Sequence, residues 1–310
     1  MSVTVVGSIA FDAVTTPFGS RERMLGGSAV HFALAASFFD TVHVVGPVGD
    51  DFDEEEYEVL RARGVDTRDI EHVAGRTFFW RGEYSWDLST RQTLDTQLGV
   101  FAGFEPRLSD ESRGAELVFL ANIQPQLQRQ VRAQCTAARF VALDSMNLWI
   151  ETERPALIEA LGGVDCLMLN DSELRELTRE PNLIRAARQI HGWGPSVVVA
   201  KRGEFGAAMV TREGFFALPA FPLETVLDPT GAGDCFAGGF MGYLGAHSGH
   251  EINHELLSQA MAYGTALASF NVEEFGVQRV AALTTDEIAE RVAELGGMTR
   301  LTAKPLALRG

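Results

Sequence analysis

Seven consecutive residues, Asp228-Pro229-Thr230-Gly231-Ala232-Gly233-Asp234, carry the chemistry most legible in this chain. Gly231 and Gly233 let the backbone turn without a Cβ, so that successive N–H groups can converge. The small-residue stretch that follows, Cys235-Phe236-Ala237-Gly238-Gly239-Phe240, reads as a helix. Convergent N–H groups at a helix N-terminus form an anion site, which the helix dipole reinforces. A carboxylate beside such a site, here Asp234, repels the anion. It is better suited to taking a proton from an alcohol that attacks a phosphoryl group. The same string also suits a tight turn in which Asp234 caps the helix, a place where Asp is common.

Other phosphate motifs fail on spacing. A Walker loop requires GxxxxGK[ST], and the chain has none. A dinucleotide fingerprint requires GxGxxG, but Phe236 stands where the third glycine would be. Neither a GxSxG elbow nor an HExxH pair occurs.

The elements that must position this string alternate between two kinds. Short apolar runs at 3–6, 42–45, 117–120, 140–143, 166–169 and 197–200 read as buried strands. Helical stretches separate or follow them, at 27–39, 53–63, 126–138, 154–161, 171–190, 235–246, 252–270 and 286–294. Residues 207–211 and 214–218 form a hairpin pattern across Arg212 and Glu213. Such alternation, with strands apolar throughout, predicts an α/β fold: a mostly parallel sheet covered by helices on both faces. One segment breaks the rhythm. Residues 73–101 are aromatic and β-branched, with Phe78, Phe79, Trp80, Tyr84 and Trp86 crowded together. They read as antiparallel strands inserted as a lid or dimer surface, or else as an extra sheet packed on the body.

The signature and its order along the chain resemble the ribokinase-like (PfkB) carbohydrate kinases. The likeness runs from about residue 3 to residue 280. Gly7-Ser8-Ile9-Ala10-Phe11-Asp12 is similar to that family's first strand, Gly26-Gly27 to its di-glycine, and Gly46-Pro47-Val48-Gly49-Asp50-Asp51 to its second-strand turn. Asn170-Asp171-Ser172-Glu173 is similar to its NxxE motif, and Lys201-Arg202-Gly203-Glu204-Phe205-Gly206 to its nucleotide-side turn. The resemblance implies a three-layer ribokinase-like fold with a small β-sheet lid drawn from residues 12–24 and 73–101, all in one domain over 1–310. It implies transfer of the ATP γ-phosphoryl group to a primary alcohol of a sugar or sugar-like substrate.

It also implies roles. Asp234 is the catalytic base, and Gly231, Ala232 and Gly233 form the anion hole. Asp12, Gly26, Gly27 and His31 face the substrate, and Lys201, Gly203 and Gly206 face the nucleotide. Asn170 and Glu173 support Mg²⁺ through water. Asp228 and Thr230 stand beside a monovalent cation, K⁺, and the lid doubles as a homodimer interface. His31 is a departure, since many relatives carry Asn there, and Lys201 replaces a frequent Thr. Those departures, with Phe78, Trp80 and Trp86 available to stack a base, keep a nucleoside kinase of the same fold open. A catalytically silent nucleotide-binding regulator is the reading from another class. Intact Asp234 and the complete Gly-Ala-Gly stand against it.

Composition bounds the partners. With 26 Lys+Arg against 42 Asp+Glu, the formal charge is −16. So acidic a chain is poorly suited to neutralising nucleic-acid phosphates or anchoring on an anionic membrane. Cys135, Cys166 and Cys235 are odd in number and widely spaced, which matches neither a disulfide framework nor a zinc site. No signal-peptide pattern opens the sequence, and no run of about 20 apolar residues spans a bilayer. A cytoplasmic protein acting on a small molecule is the expectation.

Overall fold

A computed structural model describes residues 2–300. The single-domain expectation over 1–310 extends to residue 1 and residues 301–310, which lie outside the described residues. The chain begins with β1 (Ser2–Val6), β2 (Ala10–Thr16), β3 (Gly19–Gly26), α1 (Ser28–Ala36), β4 (Thr41–Val48), α2 (Glu54–Arg61) and β5 (Asp66–His72). Next come β6 (Phe78–Tyr84), β7 (Arg91–Gln97), α3 (Asp110–Arg113), β8 (Leu117–Leu120), α4 (Pro125–Gln134) and β9 (Phe140–Asp144). Then follow α5 (Asn147–Thr152), α6 (Arg154–Leu161), β10 (Cys166–Asn170), α7 (Asp171–Thr178), α8 (Leu183–His191) and β11 (Val197–Lys201). The C-terminal part holds β12 (Ala207–Thr211), β13 (Phe215–Leu218), α9 (Ala232–Ala246), α10 (His254–Asn271), α11 (Gln278–Ala281) and α12 (Thr285–Met298).

Nine strands form the main sheet, in the order β13-β12-β11-β10-β9-β8-β1-β4-β5. From β11 to β5 every neighbouring pair is parallel, while β12 and β13 return antiparallel. Side chains alternate across a strand, and here both faces are apolar. Val3, Val5, Leu117, Phe119, Cys166 and Met168 enter one core, with α1, α9 and α10. Val6, Val118, Leu120, Leu167 and Leu169 enter the other, with α4, α6, α7 and α8. That is why the strands read as continuous apolar runs: a parallel sheet is covered on both sides. In the first core Phe32 of α1 stacks on Phe119 of β8, their ring centroids 4.5 Å apart.

A second, four-stranded sheet stands apart, in the order β3-β2-β6-β7. β2 pairs antiparallel with β3 and parallel with β6, and β6 pairs antiparallel with β7. The two segments expected to supply a lid both lie here. Its strands reach slightly beyond the expected 12–24 at either end and occupy the middle of 73–101.

The structure corrects one helix and adds elements. The stretch 171–190 is two helices, not one. Arg179 adopts a left-handed conformation (φ 56°) and Pro181 follows, which has no N–H to continue the ladder. β5 is an addition: Asp66-Thr67-Arg68-Asp69-Ile70-Glu71-His72 is polar because it forms an edge, paired only with β4. The short helix α5 is another.

α9 and α1 approach each other at glycine. A Cβ on Gly238 would collide with the Phe32 carbonyl oxygen, and one on Gly242 would press on the Ala36 backbone at 3.1 Å. Gly238→Ala is therefore expected to lower stability by about 1–3 kcal/mol, read as a shift in the urea midpoint. An unchanged midpoint would show that the two helices are not locked at this contact.

Candidate active site

The carboxyl ends of the parallel strands, where ligands bind in open α/β sheets, carry the charged residues. Asp144 closes β9, Asn170 closes β10 and Lys201 closes β11. Asn170 and Lys201 are register partners. The Lys201 ammonium donates to Asp144 Oδ2 at 2.6 Å, and their side chains are 17% and 6% exposed. Lys201 Nζ also lies 3.0 Å from the point where a Cβ on Gly233 would stand. Neighbouring strand ends thus meet the first turn of α9.

That first turn is open. Gly231 precedes α9 in a left-handed conformation (φ 78°), and no side chain caps the helix. Leading N–H groups of a helix have no intrahelical partner. Ala232 is the member turned back, its N–H donating to the Pro229 carbonyl at 3.2 Å. A Cβ on Gly231 would collide with the His31 ring, so glycine is required there by both conformation and space.

His31 is buried beneath this turn. Its Nδ1 lies 3.0 Å from Asn271 Oδ1, and Asn271 Nδ2 donates to the Thr230 carbonyl at 2.7 Å. Burial lowers the imidazole to about 4, against the opposing pull of Asn271. The ring is therefore neutral, with Nδ1 the donor to Asn271. Asp228 ties the turn from the other side: Oδ1 accepts from Thr230 N–H at 2.9 Å, and Oδ2 from Gly276 N–H at 3.3 Å.

Asn170 and Glu173 close a capping box on α7. Asn170 Oδ1 accepts from Glu173 N–H at 2.8 Å, and Glu173 Oε2 accepts from Asn170 N–H at 2.9 Å. Burial raises the Glu173 carboxyl to about 7, helped by Asp144 and opposed by Lys201. Among the described residues no group of three or more His, Cys, Asp or Glu side chains is assembled for a metal ion. Mg²⁺ held through water and substrate phosphates needs only one or two carboxylates. Glu173 has a second oxygen for it, and a cation there would favour the ionised form that burial disfavours.

The lid supplies the facing wall. Asp12 and Trp80 are register partners on β2 and β6, and Tyr84 lies two alternations further along β6. Arg91 of β7 pairs with Tyr84, so these side chains share one face. Tyr84 Oη lies 3.1 Å from Thr230 Oγ1, which turns that face toward the signature. Gly26 and Gly27 adjoin Asp12. A Cβ on Gly26 would collide with its carboxylate, and the Gly27 N–H donates to it. Burial raises Asp12 to about 7, with Asp228 adding to the rise.

Asp234 stands half-buried in the first turn of α9. Burial raises that carboxyl to about 7; Asp144 and Asp12 push the same way, while Lys201 and Arg91 oppose. A carboxylate raised to that value is suited to taking a proton near neutral pH. Gly203 and Gly206 form the turn after β11, both at positive φ, with Arg202 N–H donating to the Gly206 carbonyl.

The structure therefore gathers Asp12, Gly26, Gly27, Asn170, Glu173, Lys201 and the 228–234 string around one cleft, with His31 behind the turn. Two participants carried little sequence signal. Asp144, like Asn147, is by its place after the run 140–143 a candidate to line the cleft and nothing more. Arg91 sat unmarked in the lid, yet it acts electrostatically on Asp12, Glu173 and Asp234 together. Of the aromatics expected to stack a base, Phe78 packs on Phe101, and Trp86 is 86% exposed. Trp80 stays on the cleft face, with the Arg91 guanidinium 5.0 Å from its ring centroid.

Comparison with known proteins gives the family. Residues 97–284 match the pfkB family carbohydrate kinase pattern. The chain belongs to the pfkB family of carbohydrate kinases. A cytidine kinase of Thermococcus kodakarensis is 30% identical over 247 residues, 78% of this chain and 87% of that one. A nucleoside kinase of Methanothermobacter thermautotrophicus is 27% identical over 314 residues, 94% and 96% of the two chains. The Burkholderia thailandensis nucleoside kinase solved with inosine superposes with a TM-score of 0.76 at 20% identity, covering 95% of this chain and 98% of that one. The fold is thus ribokinase-like, and the protein is a kinase of sugar-like substrates, a class that uses ATP and Mg²⁺. No helix among the described residues is long and apolar enough to cross a membrane.

The raised Asp234 carboxyl has two consequences. The acid limb of kcat/KM is expected to fall away below about pH 7 as Asp234 takes up its proton. Stability moves the other way. Between the ordinary value of 3.8 and about 7, folded Asp234 keeps a proton that the unfolded chain has lost. Folding stability from this group is thus present below about pH 4 and declines up to about pH 7. Asp234→Asn, which lacks that titration, is expected to gain melting temperature relative to wild type across this window. A wild type that gains on the variant with rising pH would contradict the assignment.

Proposed function

We propose that the protein transfers the γ-phosphoryl group of ATP to the primary alcohol of a nucleoside. The observation that carries this is the pairing of Asp12 with Trp80 on the cleft face of the lid. An acceptor for sugar hydroxyls and a flat aromatic ring stand side by side, as a sugar joined to a base requires. The cytidine and nucleoside kinases among its relatives support the same substrate class.

In this reading Asp12 accepts hydrogen bonds from the sugar hydroxyls, and the Gly26-Gly27 backbone lets the sugar approach. Asp234 takes the proton of the primary alcohol as its oxygen attacks the γ-phosphorus in line. The new oxygen–phosphorus bond forms, the bond to ADP breaks, and ADP leaves. Charge on the transferring group meets the open N–H groups at the start of α9 and the positive end of its dipole. Lys201 and the turn at Gly203 and Gly206 face the nucleotide. Asn170 and Glu173 would hold Mg²⁺ through water, and the ion would supply neutralisation of the phosphate charge. Asp228 and Thr230 hold the turn and stand where a monovalent cation would add to it. The lid excludes water, the competing nucleophile.

A panel of cytidine, uridine, adenosine, inosine, ribose, deoxyribose and fructose with MgATP tests the proposal. ADP release is followed together with the mass of the phosphorylated product. A nucleoside is expected to exceed every free sugar in kcat/KM by about tenfold or more, worth about 1.4 kcal/mol. Asp234→Asn is expected to lower kcat by about 10²–10⁴-fold, the usual contribution of a general base. A free pentose as best substrate would overturn the nucleoside assignment. Full turnover by Asp234→Asn would overturn the role of the base.

A further inference from the structure

The anion hole is built of uncharged backbone, but one half-buried ammonium stands at its edge. Lys201 acts electrostatically with three carboxylates: Asp144, Glu173 and Asp234. Burial alone would lower its pKa, and these acids together hold it above the ordinary lysine value. An ammonium has three donors. One meets Asp144 Oδ2 at 2.6 Å, the only side-chain hydrogen bond that Lys201 makes among the described residues. The remaining donors lie beside Gly233, where the first turn of α9 opens.

The two partners are unequally placed. Asp144 is buried, and its Oδ1 is already used by the Ser145 N–H at 2.8 Å, so its carboxylate is fixed. Lys201 is the more exposed partner and sits on a flexible stem. A purely structural ion pair would satisfy both sides away from the cleft. This one has a fixed acid behind and a cation with free donors in front.

We propose that Lys201 is a catalytic residue that bonds the transferring phosphoryl group beside Gly233, and that Asp144 is the positioning residue that holds it there. The inference rests on the phosphotransfer reading above and deepens it. Lys201 stays protonated throughout. The alcohol proton goes to Asp234, the electron pair of the breaking phosphorus–oxygen bond goes to ADP, and the ammonium stabilises the charge in between.

Lys201→Met, Lys201→Arg, Asp144→Asn and the double variant Lys201→Met/Asp144→Asn test this on the full chain. Steady-state kinetics are measured alongside the affinities for MgADP and for MgADP–fluoroaluminate, which mimics the transferring group. Lys201→Met is expected to lower kcat about 100-fold, the scale of one lost donor at such a site. Fluoroaluminate-complex affinity should fall by a similar factor, while MgADP affinity and the KM of the alcohol change by no more than about threefold. Lys201→Arg should recover part of the loss. Asp144→Asn is expected to cost about tenfold in kcat when Lys201 is present and nothing further in the Lys201→Met background.

Should Lys201→Met fail to fold because Asp144 is left buried and unpaired, the double variant removes both charges and carries the same expectation for kcat. Unchanged kcat in a folded variant lacking Lys201 would overturn the proposal. Equal cost of Asp144→Asn in both backgrounds would overturn the role of Asp144. In either case a wild type that phosphorylates its alcohol leaves the phosphotransfer reading standing. A wild type that binds ATP but phosphorylates no alcohol overturns both.

Discussion

A fifteen-residue helix, α9, has to deliver its uncapped N-terminus to the carboxyl edge of the sheet and keep it there. That end carries the turn at Gly231 and the carboxylate of Asp234, and nothing on the helix itself fixes where it points. Packing fixes it. Gly238 and Gly242 let α9 lie directly on α1, and Gly239 lets it approach the backbone of α10 near Gly264. The turn is then held from beneath by the His31 ring, through Asn271 by the Thr230 carbonyl, and from the side by Asp228. These contacts come from α1, from α10, from the signature itself and, through Gly276 N–H on Asp228, from the segment after α10. The anion site is a product of the whole helical layer, and not of the seven residues alone.

Burial of that helix end sets the electrostatics. Asp12 is buried and Glu173 and Asp234 are half-buried, and desolvation is the largest influence on each. Carboxyls raised to about 7 are unfavourable for stability at neutral pH and useful for proton transfer there. Lys201 from the sheet and Arg91 from the lid are the cations that offset them. The net charge of −16 is therefore compatible with phosphate chemistry. The acidic surface is solvated and largely screened. The anion meets backbone dipoles and a few cations at short range.

In the proposed reaction, the second sheet separates substrate recognition from phosphate handling. β2 leaves the main body immediately after β1, so Asp12 belongs to the lid although it lies close in sequence to the first core strand. Its register with Trp80 and Tyr84 decides which side chains share the cleft. A slip of one residue would turn all of them to the other face. Tyr84 on Thr230 then couples the position of this face to the signature turn, so lid and anion site meet at this hydrogen bond.

Much of this was legible from residue order. Continuous apolar strands required a sheet covered on both faces, Gly231 marked a turn while Gly233 lies within α9, and the aromatic break at 73–101 read as inserted strands. These signals are local: each depends on side-chain type and a spacing of a few residues. β5 escaped because an edge strand has a polar pattern, and α7 and α8 read as one helix because Arg179 and Pro181 interrupt an otherwise periodic run. The tertiary structure alone decided the pairs. Asp144 meets Lys201 across 57 residues, and His31 meets Asn271 across 240. Arg91 acquires meaning only when β7 is laid beside β6. A sequence determines which groups exist and which secondary elements bear them. Whether an ammonium is shared by three carboxylates, or a histidine lies beneath a glycine, depends on distances that only the packed sheet and helices create.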